Sequence, residues 1–245
     1  MCTVDIRTRL IPANTMVPKI LVVSIIGGIL CLDRIVLQAM LARPIVAAPV
    51  IGLILGDLYT GLTAGAFLEL LWIDRLPIGA YLPPNDTAAS ILITATVIES
   101  ARLLGSVSPG LLVLTVLFVV PCGFLAQQVD LWAGKRNEVL AKSAQRDASR
   151  GDVQAVSRRH LSSILLHYLL SVIFLLAALS LLIPSLTWLF PRLASPVTRG
   201  LTLLYGFIPL LGIAVALNTI KVRGTIPVFS AAFLCAAAVI SFMRS

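Results

Sequence analysis

The feature that most constrains this chain is a series of long, almost uninterrupted apolar runs. They cover residues 17–32, 45–72, 88–98, 111–125, 161–189, 201–217 and 226–242. A helix of ~20 apolar residues crosses a bilayer, and lipid offers no partner to an unpaired backbone N–H or C=O. Such runs must be helices or strands of a closed barrel. Barrel strands would alternate apolar and polar residues, and these runs do not. Charged residues make up only 12% of the chain and hydrophobic residues 58%, with a mean hydropathy of +1.00. Soluble domains carry about 25% charged residues, so too little polar surface remains here to cover a water-soluble globule. The expected fold class is an all-α integral membrane protein, a helical bundle with several spans.

The runs are not all plain spans. The first is short and closes on Asp33-Arg34. The second is long and glycine-rich and contains Asp57 and Glu69. Residues 76–85 form a short apolar piece bounded by Pro77 and Pro83-Pro84. Irregular backbone at membrane depth survives only where it is buried in protein or lines a wet cavity, and transporters build binding sites from such broken elements. A re-entrant element is therefore expected around 76–85.

The net charge is +8, with the basic residues mostly in the gaps between apolar runs. That placement speaks for membrane orientation rather than nucleic-acid binding. Residues 130–159 hold Lys135, Arg136, Lys142, Arg146, Arg150, Arg158 and Arg159 against Glu138, Asp147 and Asp152. This stretch is expected to be a cytoplasmic basic loop, much of it surface helix. It separates a first membrane region, 17–129, from a second, 160–245. Arg192 and Arg199 lie in one later loop, Lys221 and Arg223 in the next. If 161–189 and 201–217 each cross once, one of these pairs faces outward. Either the positive-inside rule fails locally, or the chain folds back a second time around Pro184.

Enzyme signatures are missing. There is no G-x-x-x-x-G-K-[ST], no G-x-S-x-G and no H-E-x-x-H. Cys2, Cys31, Cys122 and Cys235 are scattered, without metal or disulfide spacing. His160 and His167 lack a nearby acid or cysteine set, so no metal or cofactor is expected.

The acids within the apolar runs carry more information. An aspartate at mid-membrane costs roughly 2.5–3.5 kcal/mol on insertion scales, so it must face protein or water. Asp57 is read as a structural group that caps a helix or pairs with Arg43. Glu69 stands beside Trp72, and a carboxylate next to an aromatic ring suits a sugar: hydroxyls donate to the carboxylate, and the C–H face packs on the ring; the alternative is that Glu69 is a structural partner for Arg43 or Arg75. Asp74-Arg75 reads as a self-paired couple, and Asp33-Arg34 as another. Gly52 and Gly56, like Gly61 and Gly65, form small-xxx-small patterns that let helix backbones approach closely.

Taken in order, Asp33-Arg34, Arg43-Pro-Ile-Val-Ala-Ala-Pro49, Gly52-Leu-Ile-Leu-Gly-Asp57, Thr60-Gly61, Gly65-Ala-Phe-Leu-Glu-Leu-Leu-Trp72 and Pro77-Ile-Gly-Ala-Tyr-Leu-Pro-Pro-Asn85 resemble the IIC component of the mannose/fructose/sorbose class of the bacterial phosphotransferase system. The match is dense over 33–90 and continues weakly through the basic stretch and His160-Leu-Ser-Ser163.

The resemblance implies a permease subunit in the bacterial inner membrane, not an enzyme in itself. It implies a IID membrane partner, trimers of IIC–IID pairs, and soluble IIA and IIB proteins that carry phosphohistidine. A hexose crosses through IIC–IID and is phosphorylated by IIB. The sugar site is expected at Glu69, Trp72, Pro84, Asn85 and Asp86. The family often has aspartate where Asn85 stands, and here an acid follows at Asp86. Members tend to begin near the equivalent of Met16, so residues 1–16 are expected to be an extension or a non-native start. Members also usually continue through another apolar segment past the equivalent of Ser245. A IIC homologue turned regulator, or a lipid-modifying membrane enzyme, are the alternatives.

Overall fold

The computed structural model describes residues 13–75 and 82–219, and in addition residues 227, 229–231 and 234–235. Among these all the regular structure is helical: α1 (Ala13–Asp33), α2 (Pro44–Ile54), α3 (Leu58–Leu71), α4 (Asp86–Leu104), α5 (Pro109–Ser149), α6 (Val153–Leu189) and α7 (Ser195–Thr219), with a one-turn 3-10 helix at Phe190–Arg192. Five helices, α1, α4, α5, α6 and α7, are long and apolar enough to cross a membrane. The expected multi-span all-α bundle is what the chain forms.

Most boundaries are written in local side chains. Asp57, Asn85, Ser108 and Asp152 each accept the N–H three residues on, and so cap α3, α4, α5 and α6. Pro44 and Pro109 stand in the first turns of α2 and α5, where the missing N–H costs nothing. Gly105 ends α4 in the left-handed conformation, at φ 100°.

The run 45–72 does not cross as one helix. It breaks between α2 and α3, where Gly56 takes φ 77°, a conformation that L-residues with a Cβ avoid. Asp57 then starts α3, accepting from the backbone N–H of Thr60 at 3.0 Å and its hydroxyl at 2.6 Å. The result is a hairpin of two helices, 11 and 14 residues long, each too short to span. Gly52, Gly61 and Gly65 hold it shut. A Cβ on Gly65 would lie 2.5 Å from the Pro44 carbonyl oxygen, and one on Gly52 2.7 Å from that of Asp57. Gly56 serves differently, because little faces it and the turn itself needs it.

α4 is the hub. It touches α1, α2, α3, α5 and α6 and is buried along most of its length. α1 runs antiparallel to it, with Gly27 against Ile91 and Lys19 3.6 Å from Glu99. α7 packs outside, on α3 and α5.

Two expectations are corrected. The basic stretch 130–159 is not a loop. It consists of the adjoining ends of α5 and α6, turned at Gly151, which takes φ 72°. Alanine and long charged side chains favour helix, so α5 runs for 41 residues without a break. At 1.5 Å per residue α5 is roughly 60 Å long, about twice the hydrocarbon thickness, so a basic helical hairpin stands well beyond the membrane. Arg159 ties its tip to Asp147 at 2.6 Å. The fold-back around Pro184, one of the two alternatives for the later loops, does not form either: α6 continues through Pro184 to Leu189, and the turn comes at Phe190–Arg192. Apolar packing of Leu179, Leu182, Ile183 and Leu186 against the core holds the helix across the proline. The central residues of the expected break, 76–81, lie outside the described residues.

Candidate functional site

Where the bases of the α2–α3 hairpin, α1 and α4 meet the base of the basic hairpin, the protein forms an open cavity of about 740 Å³. That volume falls within the range of small-molecule sites. Its walls are strongly charged: Arg34, Arg43, Asp86, Asp130 and His167 all line it.

Each group arrives from a helix end or a hairpin base. Arg34 follows the last residue of α1, and its guanidinium lies 3.2 Å from the Asp86 carboxylate at the start of α4. It also donates to the Pro84 carbonyl at 3.4 Å. The expected Asp33-Arg34 couple is therefore not formed. Asp33 is buried and accepts instead from the N–H groups of Ala39 and Ala42, at 2.9 Å each. Two unpaired amides of the α1–α2 turn claim that carboxylate, which leaves Arg34 for Asp86. Asp74 and Arg75 do pair, at 3.5 Å.

Asn85 is buried and works three ways. Its side-chain oxygen accepts from the Ala88 N–H at 2.9 Å, its N–H donates to the Gly123 carbonyl at 3.0 Å, and its amide nitrogen donates to Asp130 at 2.9 Å. The other Asp130 oxygen faces Nε2 of His167 at 3.6 Å. Arg34–Asp86 and Asn85–Asp130–His167 thus form adjoining polar chains across four helices. Low dielectric strengthens each link, and every group in such a network must find a partner.

The sequence-expected residues divide. Asp86 lines the cavity, with Asn85 and Pro84 immediately behind its wall. Glu69 does not line it. One carboxylate oxygen pairs with Arg43 and the other accepts from the Ile45 N–H at 3.3 Å, so it reaches the cavity only through Arg43. Trp72 packs away from it, its ring against Gly123 and edge-on to Phe124 at 6.3 Å. Asp57 caps α3 and has no contact with Arg43, whose carboxylate partner is Glu69.

A profile of the family described as "PTS system sorbose-specific iic component" matches residues 17–243. The chain belongs to this family. It is a IIC component, a transporter subunit of the phosphotransferase system. The mannose-specific EIIC component of Escherichia coli K12 is 26% identical over 220 residues, covering 89% of this chain and 80% of that one. The sorbose-specific EIIC component of Klebsiella pneumoniae is 28% identical over 193 residues, covering 78% and 70%. Among solved structures, a chain of the complex of the mannose transporter ManYZ with microcin E492 superposes with a TM-score of 0.57 at 23% identity, over 94% of this chain and 93% of that one. That likeness concerns the fold.

In this IIC chain, sequence reasoning missed Asp130 and His167. Asp130 opens the basic stretch and reads there as one more surface charge. The signal lay in distance along the helix: 21 residues past Pro109 is still within one membrane thickness, roughly 32 Å. Glu99 was missed as well. It is buried beside Arg102 and Lys19 at the other end of α4. Among the described residues no cluster of histidine, cysteine and acid groups could hold a metal.

Proposed function

We propose that this IIC chain carries a hexose across the bacterial inner membrane together with a IID subunit, and that the sugar is held in the Asp86–Asp130–His167 cavity before a phosphorylated IIB partner modifies it. The observation that carries this reading is the cavity itself, a charged chamber of about 740 Å³ among helices that are otherwise apolar. Keeping acids at that depth is costly, and the cost is explained if a polar solute visits. A hexose is neutral and rich in hydroxyls, each both donor and acceptor. Carboxylates of Asp86 and Asp130 accept its O–H groups, while Arg34, Arg43 and His167 donate to its oxygens. Glu69 sets the position of Arg43, and Asn85 and Pro84 fix the strand of chain that presents Asp86.

The charge of the basic hairpin favours the cytoplasm, which makes the cavity the inner end of the pathway. A IIB protein resting on the hairpin would reach the sugar there. Relatives named for mannose and sorbose support a sugar of this size. The chain itself carries no group that the reading assigns to phosphoryl transfer, and IIA and IIB supply that chemistry. IIC–IID pairs assembling as trimers complete the picture.

The test is uptake. The chain is co-expressed with IID, IIA and IIB partners in a host that lacks mannose-class systems and is given a panel of labelled hexoses. At least one hexose is expected to accumulate as its phosphate, and only when the IID partner is present. Accumulation of none, with the complex correctly assembled in the membrane, contradicts the proposal.

A further inference from the structure

We propose a second sugar-binding site at the opposite end of α4, in a pocket between the α2–α3 hairpin tip, the start of α5 and α7. The inference rests on the transport reading above and extends it to the outer face.

The pocket has a volume of about 400 Å³, in the range of small-molecule sites. Asp57, Tyr59, Thr63, Ser108 and Tyr205 line it. These four hydroxyls and one carboxylate thus face one opening, two of the hydroxyls on phenol rings, which is a lining suited to a polar solute. Each group is held from behind. Asp57 is fixed by its cap to Thr60, with carboxylate lone pairs to spare beyond the two bonds it accepts. Thr63 bonds the Tyr59 carbonyl at 2.9 Å. The Tyr205 ring tilts against Phe67, centroids 5.0 Å apart. Tyr59 is 76% exposed and Val107 43%, so the pocket has an open mouth.

The chemistry matches a hexose. Neutral O–H donors and acceptors bind neutral hydroxyls, Asp57 accepts a sugar O–H in a charge-assisted bond, and a phenol face takes the C–H side of the ring. Among the described residues no cation lines this pocket, which distinguishes it from the arginine-rich inner cavity and disfavours a phosphorylated sugar. The two sites lie one α4 length apart, about 28 Å for 19 residues. The pocket is placed to receive free sugar on the outer side before the inner cavity holds it, and its lining disfavours the phosphate.

The test uses the full chain assembled with its IID partner in intact cells, with the other cysteines changed to serine and Val107→Cys introduced at the mouth. A membrane-impermeant maleimide should label this cysteine from outside, and a transported hexose should slow labelling by about threefold or more, whereas its 6-phosphate should not. Ser143→Cys, in the basic hairpin, should stay unlabelled. In parallel, Tyr205→Phe and Thr63→Val should each raise KM for external hexose by about threefold to tenfold, the worth of one neutral hydrogen bond, with kcat unchanged. Normal uptake with labelling that hexose does not slow, or with unchanged KM in both variants, overturns the outer site alone. Labelling of Ser143→Cys from outside overturns the outward placement. Failure of the unaltered complex to take up any hexose overturns the transport reading and this inference with it.

Discussion

Gly61→Leu is expected to abolish the folded subunit. At Gly61 a Cβ alone would sit 2.7 Å from the Ala48 carbonyl oxygen, 3.0 Å from Cα of Pro49 and 3.1 Å from Cα of Gly52. All three are backbone atoms and cannot rotate aside. Overpacking a core costs typically ~1–3 kcal/mol even where side chains can yield. Here α2 and α3 must separate, so the loss should exceed about 3 kcal/mol, a large share of the total for any domain. The hairpin carries Arg43 and Glu69 at its base and Asp57 at its tip, so both ends of the pathway go with it. Size-exclusion profiles and thermal midpoints of the chain co-expressed with IID report the outcome. Gly206→Ala, which meets open space, should behave as the unaltered protein. A monodisperse Gly61→Leu complex with an unchanged midpoint would show that the close approach does not hold the hairpin.

Arg102→Ala is expected to be nearly as damaging, for an electrostatic reason. The Glu99 side chain is only 6% exposed and pairs with Arg102, with Lys19 at 3.6 Å as a second, half-exposed partner. Arg102 also donates to the Leu55 carbonyl at the hairpin turn. Removing it leaves a buried carboxylate poorly compensated and that carbonyl without its donor. Breaking a buried ion pair from one side costs about 3–5 kcal/mol, whereas replacing both charges often costs little. The double variant Glu99→Leu with Arg102→Leu should therefore recover much of the stability lost by Arg102→Ala. A double variant no better than the single one would mean that Arg102 acts through Leu55 alone.

The spans were legible because lipid leaves a chain few choices: long apolar runs become helices. One end was legible in a capping residue, Asp57. The course of the chain at Pro184 was not, because tertiary packing of Leu179, Ile183 and Leu186 outweighs the local cost of a proline. The length of α5 was obscured by its change of solvent, since the same helix is apolar in the membrane and basic beyond it. For the proposed site, the sequence drew attention to single acids but not to the partner of each. Arg34 and Asp86 are 52 residues apart, and Asn85 and Asp130 45. No local pattern announces pairs set by how α1, α4 and α5 cross. For Glu69 the sequence left two readings, a sugar ligand or a partner of Arg43 or Arg75, and in space it pairs with Arg43.

Hexose affinity measured on purified complex tests the central claim most directly. The unaltered IIC–IID complex and its Asp86→Asn variant are compared with a labelled hexose that the system takes up, and assembly is checked on the same samples. A hydroxyl bonded to a carboxylate is worth roughly 1.5–3 kcal/mol. The account predicts that Asp86→Asn assembles normally and binds sugar about tenfold to a hundredfold more weakly. Normal assembly with unchanged affinity would contradict it and place the sugar elsewhere.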